Sequence, residues 1–187
     1  MSDFRAMSLA DARRDYLANS TTAMPIGGLI AWGSLAAIAW HMGDDLPVWI
    51  PFTAAAAPVP IALLIDRIRG TIGRWKQGND NPVAKLFMRF IWVITLLSPF
   101  IIIAAMEAGE VDLVILGMAV FAGMIWVPHG WGADDPAGFI HFIMRALLCY
   151  AAYLLVPEPE RGAAVAAAPA LTYVYAILAM KKPESAQ

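Results

Sequence analysis

Apolar residues in this chain come in blocks, not in the alternation of a strand or the single stripe of a soluble helix. The blocks run over Met24–Met42, Val48–Ile65, Leu86–Met106, Val111–Val127, Gly138–Val156 and Ala163–Met180. A hydrocarbon core about 30 Å thick takes roughly 17–25 helical residues to cross, and each block has that length. Lipid offers no partner to a backbone N–H or C=O, so such blocks predict helices that satisfy their own backbone. The expected fold is all-α: a bundle of six transmembrane spans. It divides into a leader over 1–22, a spanning domain over 23–180 with a basic loop at 66–85, and a tail at 181–187. Val111–Val127 is the shortest block, and the Pro- and Gly-containing stretch after it, ending at Pro136, reads as a turn. The first block carries an A-x-A pattern at Ala37 and Ala39, but its length and the mixed-charge leader before it favour a retained span over a signal peptide.

Charge then orients the spans. Lys and Arg in short loops are held in the cytoplasm. An inside N-terminus puts Arg5, Arg13 and Arg14 of the leader, Arg67, Arg69, Arg74, Lys76 and Lys85 of the long loop, and Lys181 and Lys182 of the tail on that side, and only Arg161 outside. The outer loops are acidic, with Asp44, Asp45, Glu107, Glu110, Asp112, Glu158 and Glu160. Six spans with both termini inside fit this pattern, in a bacterial-type cytoplasmic (inner) membrane. Composition agrees: 60% of the 187 residues are hydrophobic and 15% charged, against about half and a quarter in soluble domains. The net charge of −2 and the scattered basic residues exclude a nucleic-acid surface. A single cysteine, Cys149, excludes an internal disulfide or a CxxC site.

Two segments flank the membrane. In the leader, Ser8 with Asp11 resembles a capping box, and Leu9, Ala12 and Tyr16 share a face, which predicts a short helix lying against the membrane. After span two, Ile68, Ile72 and Trp75 recur at interfacial helix spacing among Arg67, Arg69, Arg74 and Lys76. Those four cations suit topological anchoring, and contact with anionic lipid headgroups or an acidic partner is the functional reading. Within the spans, Gly27 with Ala31, Gly33 with Ala37 and the alanines of 163–170 make small-residue pairs that let helices approach or associate into oligomers. Pro51, Pro58, Pro60, Pro99 and Pro169 each free a carbonyl one turn back. The tryptophans read as an interfacial belt.

The candidate chemistry sits on span five. His141, Arg145, Cys149 and Tyr153 recur every four residues, and four helical residues turn about 400°, so the stripe winds slowly along one face. His129 and Asp134 lie in the preceding turn. An arginine near a span centre costs about 2.5–3.5 kcal/mol and marks a pathway or pocket; the competing reading is a stem that snorkels to the cytoplasmic side. Asp134 and Asp135 are too far along the helix to reach Arg145, which leaves Asp66, carbonyls, tyrosine hydroxyls or water as its partners. The lack of interior carboxylates argues against proton or sodium coupling. No histidine spacing forms a metal motif, no cofactor is called for, and no nucleophile stands at working distance from a base, so no catalytic residue is assigned and an enzyme is disfavoured.

The segment Ile125-Trp126-Val127-Pro128-His129-Gly130-Trp131, the leader's Arg13-Arg14-Asp15-Tyr16 and the Pro51-containing second span resemble a family of small bacterial integral membrane proteins classed only as a domain of unknown function. The resemblance covers most of the chain and implies a helical membrane protein without an assigned activity. The functional expectation is a transport-like protein for a small, anionic solute, with His141 and Arg145 lining the path. The alternative is an accessory subunit binding another membrane protein or anionic lipid, in which the stripe is a helix contact.

Overall fold

The computed structural model describes residues 7–72 and 80–182, and among them there is no strand. The elements are α1 (Leu9–Ala18), α2 (Met24–Met42), a 3-10 turn at Gly43–Asp45, α3 (Trp49–Ala56), α4 (Pro58–Ile68), α5 (Pro82–Ala108), α6 (Val111–Gly123), α7 (Trp126–Ala133), α8 (Pro136–Leu155) and α9 (Arg161–Ala179). With α3 continuing into α4 and α6 into α7, six helical stretches among the described residues are long and apolar enough to cross a membrane. The chain is an all-helical polytopic membrane protein.

Local chemistry sets the boundaries. Ser8 Oγ accepts from the Asp11 N–H (3.2 Å) and its hydroxyl donates to the Asp11 carboxylate (2.6 Å), starting α1. That hydroxyl, and then Arg14, hold the Asp11 carboxyl below its ordinary range. The Asn81 side chain accepts from Val83 N–H at the start of α5, and Asp135 from Ala137 N–H at the start of α8, with Pro82 and Pro136 as first helical residues. Pro58 divides the second span into α3 and α4, because it supplies no N–H to the turn before it.

The turn expected up to Pro136 is largely helix. Pro128 has no N–H for the Met124 carbonyl, which takes the Val127 N–H instead (3.2 Å), and α7 runs on to Ala133. Reversal is confined to Asp134 and Asp135, with Asp134 left-handed at φ 52°. Glycines here serve a helix crossing, not a turn. A Cβ on Gly138 of α8 would lie 2.5 Å from the Trp126 carbonyl oxygen and 2.7 Å from the Gly130 Cα of α7.

The core centres on α9, the most buried span, which packs against α2, α8 and α6. Ala163, Ala166, Ala168 and Ala176 are buried there, so small residues bring the backbones together. On α2, Gly27 faces α4, where a Cβ would meet the Pro58 oxygen at 2.6 Å. Gly33 and Ala37 depart from the expected packing: nothing lies within 4 Å of a Cβ on Gly33, and Ala37 is exposed, so that pair points outward. Helix α5 is the least buried span, and Leu96, Phe100 and Ile103 project from it with no protein over them.

Antiparallel succession places the start of α2, α5 and α8 and the end of α4, α7 and α9 at one end of the bundle, beside α1. The leader helix, expected to lie on the membrane, docks instead on protein. Tyr16 OH pairs with His129 Nδ1 (2.8 Å), Arg13 with Asp134 (2.8 Å), and the Asn81 amide donates to the Ala12 carbonyl (2.8 Å) and to Asp15 (2.7 Å). The reason is complementarity: Ala12 and Tyr16 fill a small apolar cluster with Val83 and Ala133. The interfacial helix expected through Ile68 and Ile72 is interrupted, because α4 ends at Ile68 and Gly70 turns left-handed at φ 72°. Arg5, Arg74, Trp75 and Lys76 lie outside the described residues.

Candidate functional site

Helix α8 carries His141, Arg145 and Cys149 on one buried face, as four-residue spacing dictates. Arg145 is 0% exposed, so its stem does not snorkel to the surface. It occupies the junction of α2, α6, α8 and α9. Its Nε donates to the Ala119 carbonyl of α6 at 2.7 Å. Its guanidinium carbon lies 4.8 Å from the Trp32 ring centre on α2 and 5.3 Å from that of Tyr173 on α9. Two glycines make the room: a Cβ on Gly123 would come within 2.9 Å of the Arg145 Cδ, and one on Gly28 would run into the Tyr173 ring.

The Arg145 partner is therefore a carbonyl and two ring faces. Asp66, the one acid placed to approach, takes the Thr71 hydroxyl at 3.2 Å. Bringing a cation into the interior costs several kcal/mol. Each desolvated ring face returns about 2 kcal/mol and a charged donor on a carbonyl about 1.5–3 kcal/mol. These terms are comparable to the penalty. Yet both terminal nitrogens, Nη1 and Nη2, are buried without a hydrogen-bond partner, and unmet buried donors cost about 1–3 kcal/mol each.

Around the guanidinium the polar side chains are mostly donors or neutral. His141 Nδ1 meets the Thr172 carbonyl at 2.9 Å, while its Nε2 is buried without a partner, as are the indole nitrogens of Trp32 and Trp126. Trp126 stands edge-on to His141 (5.1 Å between centroids) and Tyr173 (5.8 Å). Cys149 Sγ lies 3.8 Å from the Val165 carbonyl, the group that Pro169 leaves without its helical donor. At the far end Tyr153 OH donates to Glu110 (2.9 Å).

Not every expected member joins this site. His129 belongs to the leader contact through Tyr16 and reaches the stripe only by way of Trp126, 5.4 Å between centroids. Asp134 pairs with Arg13 and stays exposed; its carbonyl also takes the Lys181 ammonium. Arg67 and Arg69 are exposed at the end of α4. Trp32 and Trp126, read as belt residues, are 0% and 3% exposed inside the bundle, whereas Trp40, Trp49 and Trp92 project outward. Trp32, Tyr173, Gly28 and Gly123 form the setting of Arg145, and no spacing rule links them because they come from three different helices. No group of three or more His, Cys, Asp or Glu placed to hold a metal occurs among the described residues.

A cavity of about 540 Å³ opens at the leader end, with Trp126 and His129 in its wall and Arg69, Lys181 and Lys182 at its rim. Trp126 thus lines this cavity and also stands against His141 and Tyr173, the ring that flanks the guanidinium. A sequence model described as Family of unknown function (DUF7010) matches residues 9–182, from the first residue of α1 to the end of the described chain. No curated protein and no solved structure matches.

Proposed function

We propose that this chain, which belongs to the Family of unknown function (DUF7010), is a transport-like protein that admits a small anion to Arg145 from the leader end. The observation that carries the reading is a fully buried guanidinium whose Nη1 and Nη2 have no partner. Those nitrogens present N–H groups in the planar fork that suits a carboxylate or another oxyanion. His141 Nε2 and the indole N–H groups of Trp32 and Trp126 are further unmet polar atoms in the same aromatic cluster. In this reading the rim cations gather anions, Trp126 is the partition that shifts, and the ring faces of Trp32 and Tyr173 hold the guanidinium while the anion exchanges. The basic leader end faces the cytoplasm of a bacterial-type inner membrane, because positive loops are retained there.

Flux measures this directly. Purified chain is reconstituted in vesicles loaded with a small anion such as formate or nitrate, and efflux is followed with potassium and its ionophore present to clamp the potential. Protein-dependent efflux that Arg145→Gln abolishes while keeping its fold is the expected result. Efflux equal to protein-free vesicles for every small anion tried would remove the transport reading. The second reading, an accessory subunit, draws on α5, whose outward apolar residues suit a helix of another membrane protein. A stoichiometric companion retained in mild detergent is its signature.

A further inference from the structure

The leader-end cavity has a chemistry of its own, separate from that of Arg145. Its rim holds Arg69, Lys181 and Lys182, and among the described residues no carboxylate lines it. A polar band of Asn19, Ser20, Thr21 and Thr22, the link between α1 and α2, lies along one wall. The rest of the lining is largely apolar, with Met24, Phe87, Ile125, Ile177 and Met180 drawn from α2, α5, α9 and the break between α6 and α7. Of the acids beside the lining residues, Asp15 is occupied by Asn19 (3.1 Å) and Asn81 (2.7 Å), and Asp135 accepts from the Lys181 backbone N–H (2.7 Å). Lys181 is engaged by the Asp134 carbonyl, so Arg69 and Lys182 are the exposed cations left to a ligand.

Cations, hydroxyls and amides, and an apolar remainder in one cavity match the parts of an amphiphile. The volume, about 540 Å³, lies within the roughly 300–1,000 Å³ of ligand pockets. Position points the same way: the cavity sits where spans α2, α5 and α9 end, which is the level of lipid headgroups and of the first acyl carbons. We propose that this cavity binds an acyl chain bearing an anionic head, the head on Arg69 and Lys182 and the chain against Phe87, Ile125 and Trp126. Such a ligand would press on Trp126 and on the docked leader helix at once, since His129 touches both the Trp126 ring and Tyr16. The site stands whether or not Arg145 receives an anion.

Among the described residues Trp126 is the one tryptophan in the cavity lining, so bromine-labelled acyl chains report occupancy by quenching its fluorescence. The full chain in zwitterionic bilayer discs is titrated with dibromostearate, the matching dibromo alcohol, and a dibromo-acyl anionic phospholipid. The expected result is a saturable quenching component for the anionic compounds that the alcohol lacks. Arg69→Gln with Lys182→Gln, both on exposed residues, weakens that component by roughly tenfold or more, at about 1 kcal/mol per surface cation. Trp126→Phe removes the component, while Trp40→Phe, on a lipid-facing residue, leaves it. Saturation by the phospholipid identifies the occupant as bilayer lipid; saturation by the free acid alone identifies a fatty acid. Quenching that only tracks the mole fraction of bromine, or that the alcohol matches, or that survives the double cation variant unchanged, overturns the proposal.

Discussion

The Arg145 guanidinium carbon lies 4.8 Å from the centre of the Trp32 ring, with both residues fully buried and on different spans. The pair explains how a helix with a central arginine can sit inside an apolar bundle without a carboxylate beside it. A ring face supplies partial negative charge and no competing hydrogen-bond acceptor, so the guanidinium is held in place while its terminal nitrogens stay unpaired.

Removing either member should therefore expose the dependence of each on the other. Trp32→Leu destabilises by leaving the buried charge without its ring face, Arg145→Met removes the charge together with its unmet donors and is neutral or stabilising, and a double-mutant cycle gives a coupling of about 1–2 kcal/mol. Reversible unfolding in mixed detergent micelles measures it. Coupling within error of zero would mean that the ring face does nothing for the charge.

Gly28 and Gly33, little more than one helical turn apart on α2, should behave oppositely. A Cβ on Gly28 runs into the Tyr173 ring, which itself flanks Arg145, whereas a Cβ on Gly33 meets nothing within 4 Å. Gly28→Ala destabilises by about 1–3 kcal/mol through overpacking. Gly33→Ala is neutral or stabilising by up to about 1 kcal/mol, from helix propensity. The same unfolding assay ranks them; equal effects would contradict the α2–α9 approach.

Much of this architecture is legible in the chain. Block lengths announce helices, and the four-residue spacing of His141, Arg145 and Cys149 announces a shared face, since both follow from helix geometry alone. The box around Arg145 is not legible, because Trp32, Tyr173, Gly28 and Gly123 reach it from three other helices through tertiary packing. Trp32 illustrates the difficulty: a tryptophan in an apolar span has the same composition signal at an interface as in a core. Gly130 misleads in a related way. Glycine with proline is the usual mark of a turn, and here the absent Cβ admits a helix crossing.

The docked leader should loosen in alkali. Burial raises the Tyr16 phenol above its ordinary value, so the folded state holds that proton more tightly than the unfolded chain does. The contribution is whole below about pH 10, the unfolded phenol's value, and falls as pH rises beyond it. Cleavage of the leader by an alkali-stable protease should accelerate above about pH 10 in the wild-type chain. In Tyr16→Phe it should already be faster at neutral pH, the loss of one hydrogen bond being worth about 1 kcal/mol, and should lack the alkaline step. A leader cut equally fast in both chains at neutral pH would contradict docking through the His129 contact.

In the proposed reading the basic end faces the cytoplasm. In a Cys149→Ala background, an impermeant thiol reagent applied to intact cells should label Glu160→Cys and spare Lys182→Cys, with the reverse in inside-out vesicles. Labelling of Lys182→Cys in intact cells would invert the topology.

Whether Arg145 receives an anion is read from the anion dependence of stability. The unfolding temperature of the purified chain is followed as chloride, nitrate, formate or acetate replaces a bulky anion at fixed ionic strength. A ligand that binds only the folded state raises stability by about 2.7 kcal/mol at a hundredfold excess over its dissociation constant. A saturable rise with at least one small anion, absent in a folded Arg145→Gln variant, is the expected result. No rise with any of them, or an equal rise in both chains, would contradict it and leave Arg145 as a cation held for packing alone.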